Sequence, residues 1–594
     1  MHHYCDSFSG RLTAVLLCAC LLTGFFLAPA AQSEEYFDPD TEPQEQTAIP
    51  AESEKQPEEK QVLIFLKEDL PENRPYTMDG TKYQRDIAVP VLSGAKGFIY
   101  KKTTQVNHWL FPVSYAQGTP TLYLSWEGIK GEPVSVSINN QLLSADKPVA
   151  VPLKEMAELR IANKSVRGLI RLMFTSLPII QVKTDANIYK DVDSPCTITV
   201  SDPDYHAHGL DRPVITYDGV ISRRGRSSSR YAAKHPYNFS LMKDGQKLDQ
   251  SLLGLRDDSD WLLDSAYNDR SRMRNRVLMD VWHEIYRLPW DQTLSGATQG
   301  VYVELFVGTA YRGLYVLGEK QDRRQLGLSK RGGKWNGSFF RTGETGRDGA
   351  SPAGFVSMGR EKPLDDDPLR WYNVWLRFPK GNDVDYAAEW TDFYDYVRLV
   401  VKGTPEEFAE KITKYADLDN LARYWLFANA ADITDNMRKN MSFARLDDKD
   451  PRFSKYILLP WDMDSALGRY YSSKKSRTEE IVTNRLFTRL INENPHDFRE
   501  TLYTLWQALK KGPLSVDAIM AHFDHYYDII RASGADQRET DKHPTFKSYV
   551  KAGYSFDMNF EAELRYIRSY TEKHIDWLDG RIEEIRENGL PNEK

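Results

Sequence analysis

The sequence predicts an α+β chain, with a first half built of strands and a last third built of helices. Three observations carry that reading. Across residues 62–176, short apolar runs such as VLIFL, TLYLSW, VSVSIN and LIRLMF recur between Gly, Pro and Asn punctuation, the pattern of an antiparallel sandwich-like domain. Strand-like runs then continue to VYVELFVGTAYRGLYVLGEK, which predicts a hairpin of strands 301–307 and 311–317 around Gly308-Thr309. From about residue 386, segments such as WTDFYDYVRLVV, LDNLARYWLFANAAD and FRETLYTLWQALKK place apolar residues at helical spacing.

The N-terminus comes first in chain order. Arg11 precedes an apolar run from Leu12 to Leu27, and Ala28-Pro29-Ala30 supplies small residues for cleavage, so residues 1–31 read as a signal peptide. The run is shorter than the roughly 20 apolar residues of a membrane span. It also continues past Cys20, against a lipoprotein reading. Export to the periplasm, or secretion to the cell surface, is therefore expected, with no stable membrane span after cleavage. Cys5, Cys18 and Cys20 would leave with the signal, and Cys196 alone has no partner for a disulfide or a cysteine metal cluster. A net charge of -7 over 594 residues makes no general case for nucleic-acid or anionic-membrane binding, which call for basic surfaces.

Residues 32–61 are acidic and Pro-rich, with little to bury, and read as a disordered linker. The sandwich-like domain of 62–176 shows no chemical constellation, and Trp109, Tyr123 and Trp126 suit core or edge positions better than a sugar platform. The remaining unit, 177–594, divides into a β-rich part to about 320, a Gly-, Asp- and Lys-rich surface insertion over about 322–385, and a helical part from 386.

Within the β-rich part, Arg223, Arg224, Arg226 and Arg230 surround Gly225 and Ser227, Ser228 and Ser229 in a turn between two strand-like runs. Many donors on a flexible backbone suit phosphate oxygens, and Lys234 just beyond is a candidate for a phosphate-contacting lysine; a plain basic surface turn fits equally. Neither G-x-G-x-x-G nor a Walker motif is present. Met273, Val277, Leu278, Val281, Trp282 and Ile285 predict a helix of about four turns, on which Glu284 would pair with a phosphate-binding lysine or form a surface salt bridge. The hairpin closes at Gly318-Glu319-Lys320, where a strand running into an extended connection suits a nucleobase held through backbone groups; Glu319 is the cofactor-binding candidate there.

The helical part delivers the chain to Asp435, followed five residues later by Asn440, and then to the apolar run ILLPWDMD, which ends in Asp462 and Asp464. Phosphoryl transfer needs such parts: a carboxylate to align or deprotonate the attacking hydroxyl, and an Asn and a second carboxylate for the metal ions on the phosphates. D-x4-N is weak by itself. Two acids at the end of an apolar run are costly unless paired or metal-bound, although an N-cap or a satisfied ion pair would also account for them.

Taken in order, RGRSSSR with Lys234 and Tyr237, YNDRSRMRN (267–275), the hairpin sequence, the D-x4-N and PWDMDSALG resemble the CotH kinase family, over about residues 178–590. The resemblance implies a two-lobed, atypical protein-kinase-like fold that binds ATP and Mg2+ between its lobes and phosphorylates protein serines. Asp435 would be the catalytic acid, Asn440 and Asp462 metal ligands with Asp464 as the near alternative, and Lys234 the phosphate contact. Two departures bear on that lysine: His235 follows it where the family often has a second lysine, and Asn238 stands where a further lysine is common. Two other functions are compatible with the same residues. One is a catalytically silent scaffold or adhesion protein whose β domain carries recognition; the other is nucleotidyl transfer from the same site. The substrate, the oligomeric state and the source of nucleotide outside the cytoplasm are not legible in the sequence.

Overall fold

The computed structural model describes residues 61–591 apart from several connecting stretches between 67 and 166 and residues 226–227, 229–231, 329, 332–333, 336, 344–351, 359–366, 447–449, 471–474, 476–477 and 548–554. The expected signal and nearly all of the expected linker lie outside the described residues, as do Trp126, Arg226, Arg230, Ser227 and Ser229. Strands and helices are both abundant, an α+β chain with a β-rich N-terminal region.

That region forms a five-stranded and a six-stranded sheet. They are not purely antiparallel as expected: Gln61–Leu66 runs parallel to Thr121–Ser125, and Arg167–Thr175 runs parallel to Asn107–Pro112. Long connections between those strands make parallel pairing possible, and strand composition alone does not report it. Trp109 is buried.

A second sheet system follows. Its strands are β1 (Ile179–Lys183), β2 (Ser194–Ser201), β3 (Val214–Arg223), β4 (Tyr237–Lys243), β5 (Asp260–Asp264), β6 (Gly300–Val307) and β7 (Ala310–Glu319). The order is β3-β2-β1-β6-β7-β5-β4, followed by the two-residue strand Gln246–Lys247 on the end of β4, and an additional β3–β4 pairing closes the sheet on itself. Closure removes the exposed edges an open sheet would carry. Alternate residues point inward, so Ile180, Val182, Phe239, Leu241, Trp261, Leu263, Val303 and Leu317 share one buried cluster. Helix α1 (Arg274–Ile285) lies between β5 and β6, and the six apolar residues that predict it are all buried.

The stretch 322–385 is not a surface insertion. Its described part contributes β8 (Ser338–Thr342) and β9 (Val374–Phe378) to a five-stranded sheet, together with β10 (Ser442–Arg445) and β11 (Ile457–Leu459), in the order Arg370–Trp371, β9, β8, β10, β11. Phe339, Phe340, Trp371, Val374 and Leu376 are core residues. Two five-residue strands separated by Gly- and Asp-rich sequence offer too short a period to register as strands.

The helices carry their own stop and start signals. Asp385 caps α2 (Tyr386–Lys402) by accepting from the Ala388 N–H, and Thr404 with Pro405 starts α3 (Pro405–Tyr415). Asp417 caps α4 (Leu418–Ala430), whose buried Tyr424 and Phe427 pack on Trp282 of α1. α5 (Arg485–Glu493), α6 (Phe498–Leu509), α7 (Val516–Ala532), α8 (Ala535–Lys542) and α9 (Phe560–Asn588) complete the helical part, and Ser515 and Asn559 cap α7 and α9. Among the described residues, no helix is long and apolar enough to cross a membrane.

Candidate active site

Two loops build the site. The first leaves α4 and reaches β10 through a 3-10 turn at Thr434–Met437; the second leaves β11 as Pro460-Trp461-Asp462-Met463-Asp464. β10 and β11 are paired, so their ends bring the loops together. Asn436, wholly buried, staples them: its Nδ2 donates to the Trp461 carbonyl at 3.1 Å, and its Oδ1 accepts from the Trp461 N–H at 3.2 Å. β8 holds the first loop from the other side, where the Asn440 N–H donates to the Thr342 carbonyl at 3.2 Å and the Met441 N–H donates to Thr342 Oγ1 at 3.0 Å. Asp432, Asn440 and Asp462 all take positive φ (54°, 60° and 59°), a conformation that costs a non-glycine residue about 1 kcal/mol or more and persists where the surroundings enforce it.

Asp435, Asn440, Asp462 and Asp464 line one cavity of about 640 Å³, together with Arg224. Asp435 Oδ2 is paired with Lys439 Nζ at 2.9 Å, one helical turn on in sequence. Asp464 accepts from Asn268 Nδ2 and Ser465 Oγ, each at 3.1 Å. Asp462 opens to solvent from within the cleft and is otherwise enclosed by protein. Behind it, Asn275 Nδ2 donates to Asp264 Oδ2 at 3.2 Å while Asn275 Oδ1 accepts the Met463 N–H at 3.0 Å, tying the end of β5 to the second loop.

The charges do not balance locally. Burial raises the Asp462 carboxyl above its usual range and Asp264 adds to the rise, against the pull of Arg224 and Lys439. Burial raises Asp464 still further, helped by Asp462 itself. Two neighbouring carboxylates in one cleft, of which Asp462 makes Asp464 harder to ionise, fit a bound divalent cation, whose charge would reverse the effect. Among the described residues no three His, Cys, Asp or Glu side chains form a closed metal cage. The donor set fits a hard ion shared with substrate phosphates, the usual setting of Mg2+. The same cavity is also lined by three guanidinium groups, Arg224, Arg341 and Arg377. Arg341 is held well below the ordinary guanidinium range by burial, with like-charge repulsion from Arg377 and Arg224.

Other expected residues stand elsewhere. Lys234 does not line the cavity. It is 2% exposed, its Nζ donates to Glu539 Oε1 of α8 at 2.8 Å and to the Leu314 carbonyl, and it lies over the Tyr315 ring. The partner of this lysine is therefore Glu539, not Glu284, which instead meets His522 at 3.0 Å. Of the two expectations for Glu284, the structure follows the surface pair and not the lysine partner. Glu319 is buried, and its carboxylate accepts the N–H groups of Arg256 and Gln299, so it fixes the end of β7. It also borders a recess of about 50 Å³ with Leu262, Met279, Val316 and Gly318, which shares Arg224, Asp264 and Asp462 with the main cavity.

A family model described as CotH kinase protein matches residues 221–578, more than half of the chain. The chain belongs to the CotH kinase family. No curated protein matches it. In this CotH-family chain the matched region starts in β3 and ends in α9, so it contains every residue lining the cavity, from Arg224 to Ser465, and runs through 322–385. The strands of that stretch carry Arg341 and Arg377 to the cavity. Kinase-family membership carries a kinase-like function with it, and with that a nucleotide, a divalent metal and a protein substrate. Sequence reasoning missed Asp264, Asn275, Lys439, Arg341 and Arg377. Asp264 had a usable signal, since it ends the apolar run Trp261–Leu263 as Asp462 ends ILLPW.

Proposed function

We propose that this protein is an exported atypical protein kinase that transfers phosphate from Mg-ATP to serine hydroxyls of protein substrates. The observation that carries the reading is the convergence of Asp435, Asn440, Asp462 and Asp464 on one cavity faced by Arg224. The closed β-sheet of 179–319 serves as the β-rich lobe of a kinase-like fold and the helices of 386–588 as the helical lobe. Leu262, Met279 and Val316 give the small mixed recess beside the cavity an apolar side, against which we place the nucleobase.

Asp435 aligns the serine hydroxyl and accepts its proton as the Oγ–P bond forms and the bond from the γ-phosphorus to the β-phosphate oxygen breaks. Lys439 holds the Asp435 carboxylate in place. Asn440 and Asp462, with Asp464 beside them, are the ligands for Mg2+, which supplies charge neutralisation of the phosphates. The positive φ of Asn440 and Asp462 presents both side chains to the cavity without any rearrangement at the moment of reaction. A scaffold has no use for mutually repelling carboxylates gathered in one cleft, which favours transfer over a silent fold. Export rests on the signal-like residues 1–31.

The test is calorimetric titration of ATP into residues 32–594, with and without Mg2+, beside Asp462→Asn, together with transfer assays on Asp435→Ala. We expect metal-dependent binding that Asp462→Asn abolishes, and loss of transfer by about a thousandfold in Asp435→Ala with its melting temperature held within a few degrees. Binding of ATP that ignores both Mg2+ and the Asp462 substitution would defeat the reading.

A further inference from the structure

The arginine-rich turn accounts for one of the three guanidinium groups at the cavity. The other two, Arg341 on β8 and Arg377 on β9, come from the second sheet. Arg341 donates from Nη2 to Gln321 Oε1 at 2.8 Å and to the Gln321 carbonyl at 3.0 Å, and from Nε to Ser442 Oγ at 3.1 Å, so neutral oxygens hold it in place and leave its charge uncancelled. Its guanidinium stacks over the Trp461 ring at 4.2 Å, and Arg224 faces the same ring at 5.9 Å. Arg377 stands at the rim beside Trp375, 5.9 Å from the ring centre. Among the described residues no carboxylate forms an ion pair with Arg224, Arg341 or Arg377. Three guanidinium groups lining one cavity without a paired carboxylate repel one another, and a polyanion bound there would offset that repulsion. The sequence holds neither a G-x-G-x-x-G nor a Walker motif that would serve that purpose.

We propose that Arg341 and Arg377 from the second sheet, with Arg224, form a polyphosphate clamp that replaces the glycine-rich loop of ordinary kinases, with Trp461 as its pedestal. The clamp grips the phosphate chain and ignores the base. It deepens the kinase reading by assigning the phosphate contacts, and it rests on that reading only for the identity of the full ligand. Trp461 directly precedes Asp462, so one rigid loop sets the distance between the clamp and the metal-side acids.

The test uses residues 32–594 and Mg2+ with three titrants: inorganic tripolyphosphate, ATP and AMP. Arg377→Gln is the primary variant, because Arg377 is exposed and its loss opens no core; Arg341→Lys is the second, retaining charge but not the fork that reaches Gln321 and Ser442. The clamp predicts tripolyphosphate binding to the wild type, weakened by about tenfold or more in Arg377→Gln, with AMP affinity changed less than about twofold. Wild-type protein that does not bind tripolyphosphate, or Arg377→Gln that binds it as well as wild type, overturns the clamp. In either case persisting Mg-dependent ATP binding would leave the kinase reading standing. Tripolyphosphate bound and lost as predicted, without any ATP binding, would keep the clamp and remove the kinase reading.

Discussion

Glu539 shows how far burial and pairing displace a single residue from its solution chemistry. Burial alone would raise its carboxyl, but Lys234 and Arg272 hold it at about 2, and it also accepts the Leu314 N–H at 2.8 Å. Lys234 falls to about 8, because burial costs the lone ammonium more than Glu539 returns, whereas Glu539 draws on two cations. His543 falls to about 4, again through burial, with Glu539 opposing. The signs then agree on the acid side. Both Glu539 and His543 bind protons more readily unfolded than folded, so the stability they contribute is complete above about pH 6.5 and is lost as pH falls, through His543 from about 6.5 to 4 and through Glu539 from about 4.5 to 2. His543→Gln is expected to flatten the melting temperature between pH 6.5 and 4, removing on the order of 2 kcal/mol of pH dependence once partial exposure is allowed for; an unchanged slope in scanning calorimetry would clear His543 of that part. Such residues are hidden in sequence, since Lys234 and Glu539 lie 305 positions apart. Asp435, Asn440, Asp462 and Asp464 were legible because local patterns announced them: a loop spacing, and acids ending an apolar strand. Arg341 and Arg377 had no such pattern.

Elements pack here through backbone as much as through side chains. α8 is short, but it buries Arg538 and Glu539 against the β6–β7 hairpin, where Arg538 Nε meets Glu304 Oε2 at 3.0 Å. Gly313 on β7 takes φ +107°, and a Cβ there would lie 2.3 Å from Glu539 Oε2. Gly308 in the hairpin turn has φ +62° with nothing within 4 Å. The two glycines therefore separate strain from collision. Gly308→Ala should cost about 1 kcal/mol for the left-handed backbone alone, while Gly313→Ala should cost about 3 kcal/mol or more, since it also dislodges the Glu539 carboxylate from two buried cations. Urea denaturation of both variants decides it, and equal costs would show that α8 yields without penalty. The hairpin and α1 were readable because each satisfies a single period over ten or more residues. β8 and β9 escaped, being five residues long and set in sequence whose Gly, Asp and Lys content resembles a surface loop.

At the scale of the whole molecule, residues 59–594 form one compact unit, so the β-rich N-terminal region is joined to the closed sheet and not hung from it. The joint is specific. Phe98, Leu110, Ile179, Phe306 and Tyr311 share a buried cluster; Phe98 lies 5.2 Å from the Phe306 ring, and Tyr100 meets Tyr311 edge-on at 4.8 Å. Thr175, the last residue of its strand, donates from Oγ1 to Glu304 Oε1 at 2.9 Å, and Glu304 in turn binds Arg538 of α8. An unbroken contact path thus runs from the N-terminal sheet through the hairpin to the Lys234–Glu539 pair. Sequence composition marked two regions and gave no sign of this joint, because aromatic residues at strand positions look the same whether they face their own sheet or a neighbour's. Phe98→Ala should cost about 3–4 kcal/mol through the cavity it leaves. The informative readout is the shape of the thermal transition followed by near-UV circular dichroism and by intrinsic fluorescence. If the joint couples both regions, the two signals move together to a lower temperature in Phe98→Ala and remain one transition. A variant in which an early, shifted transition precedes a second one at the wild-type temperature would mean that the N-terminal region unfolds alone and that the contact path carries no coupling.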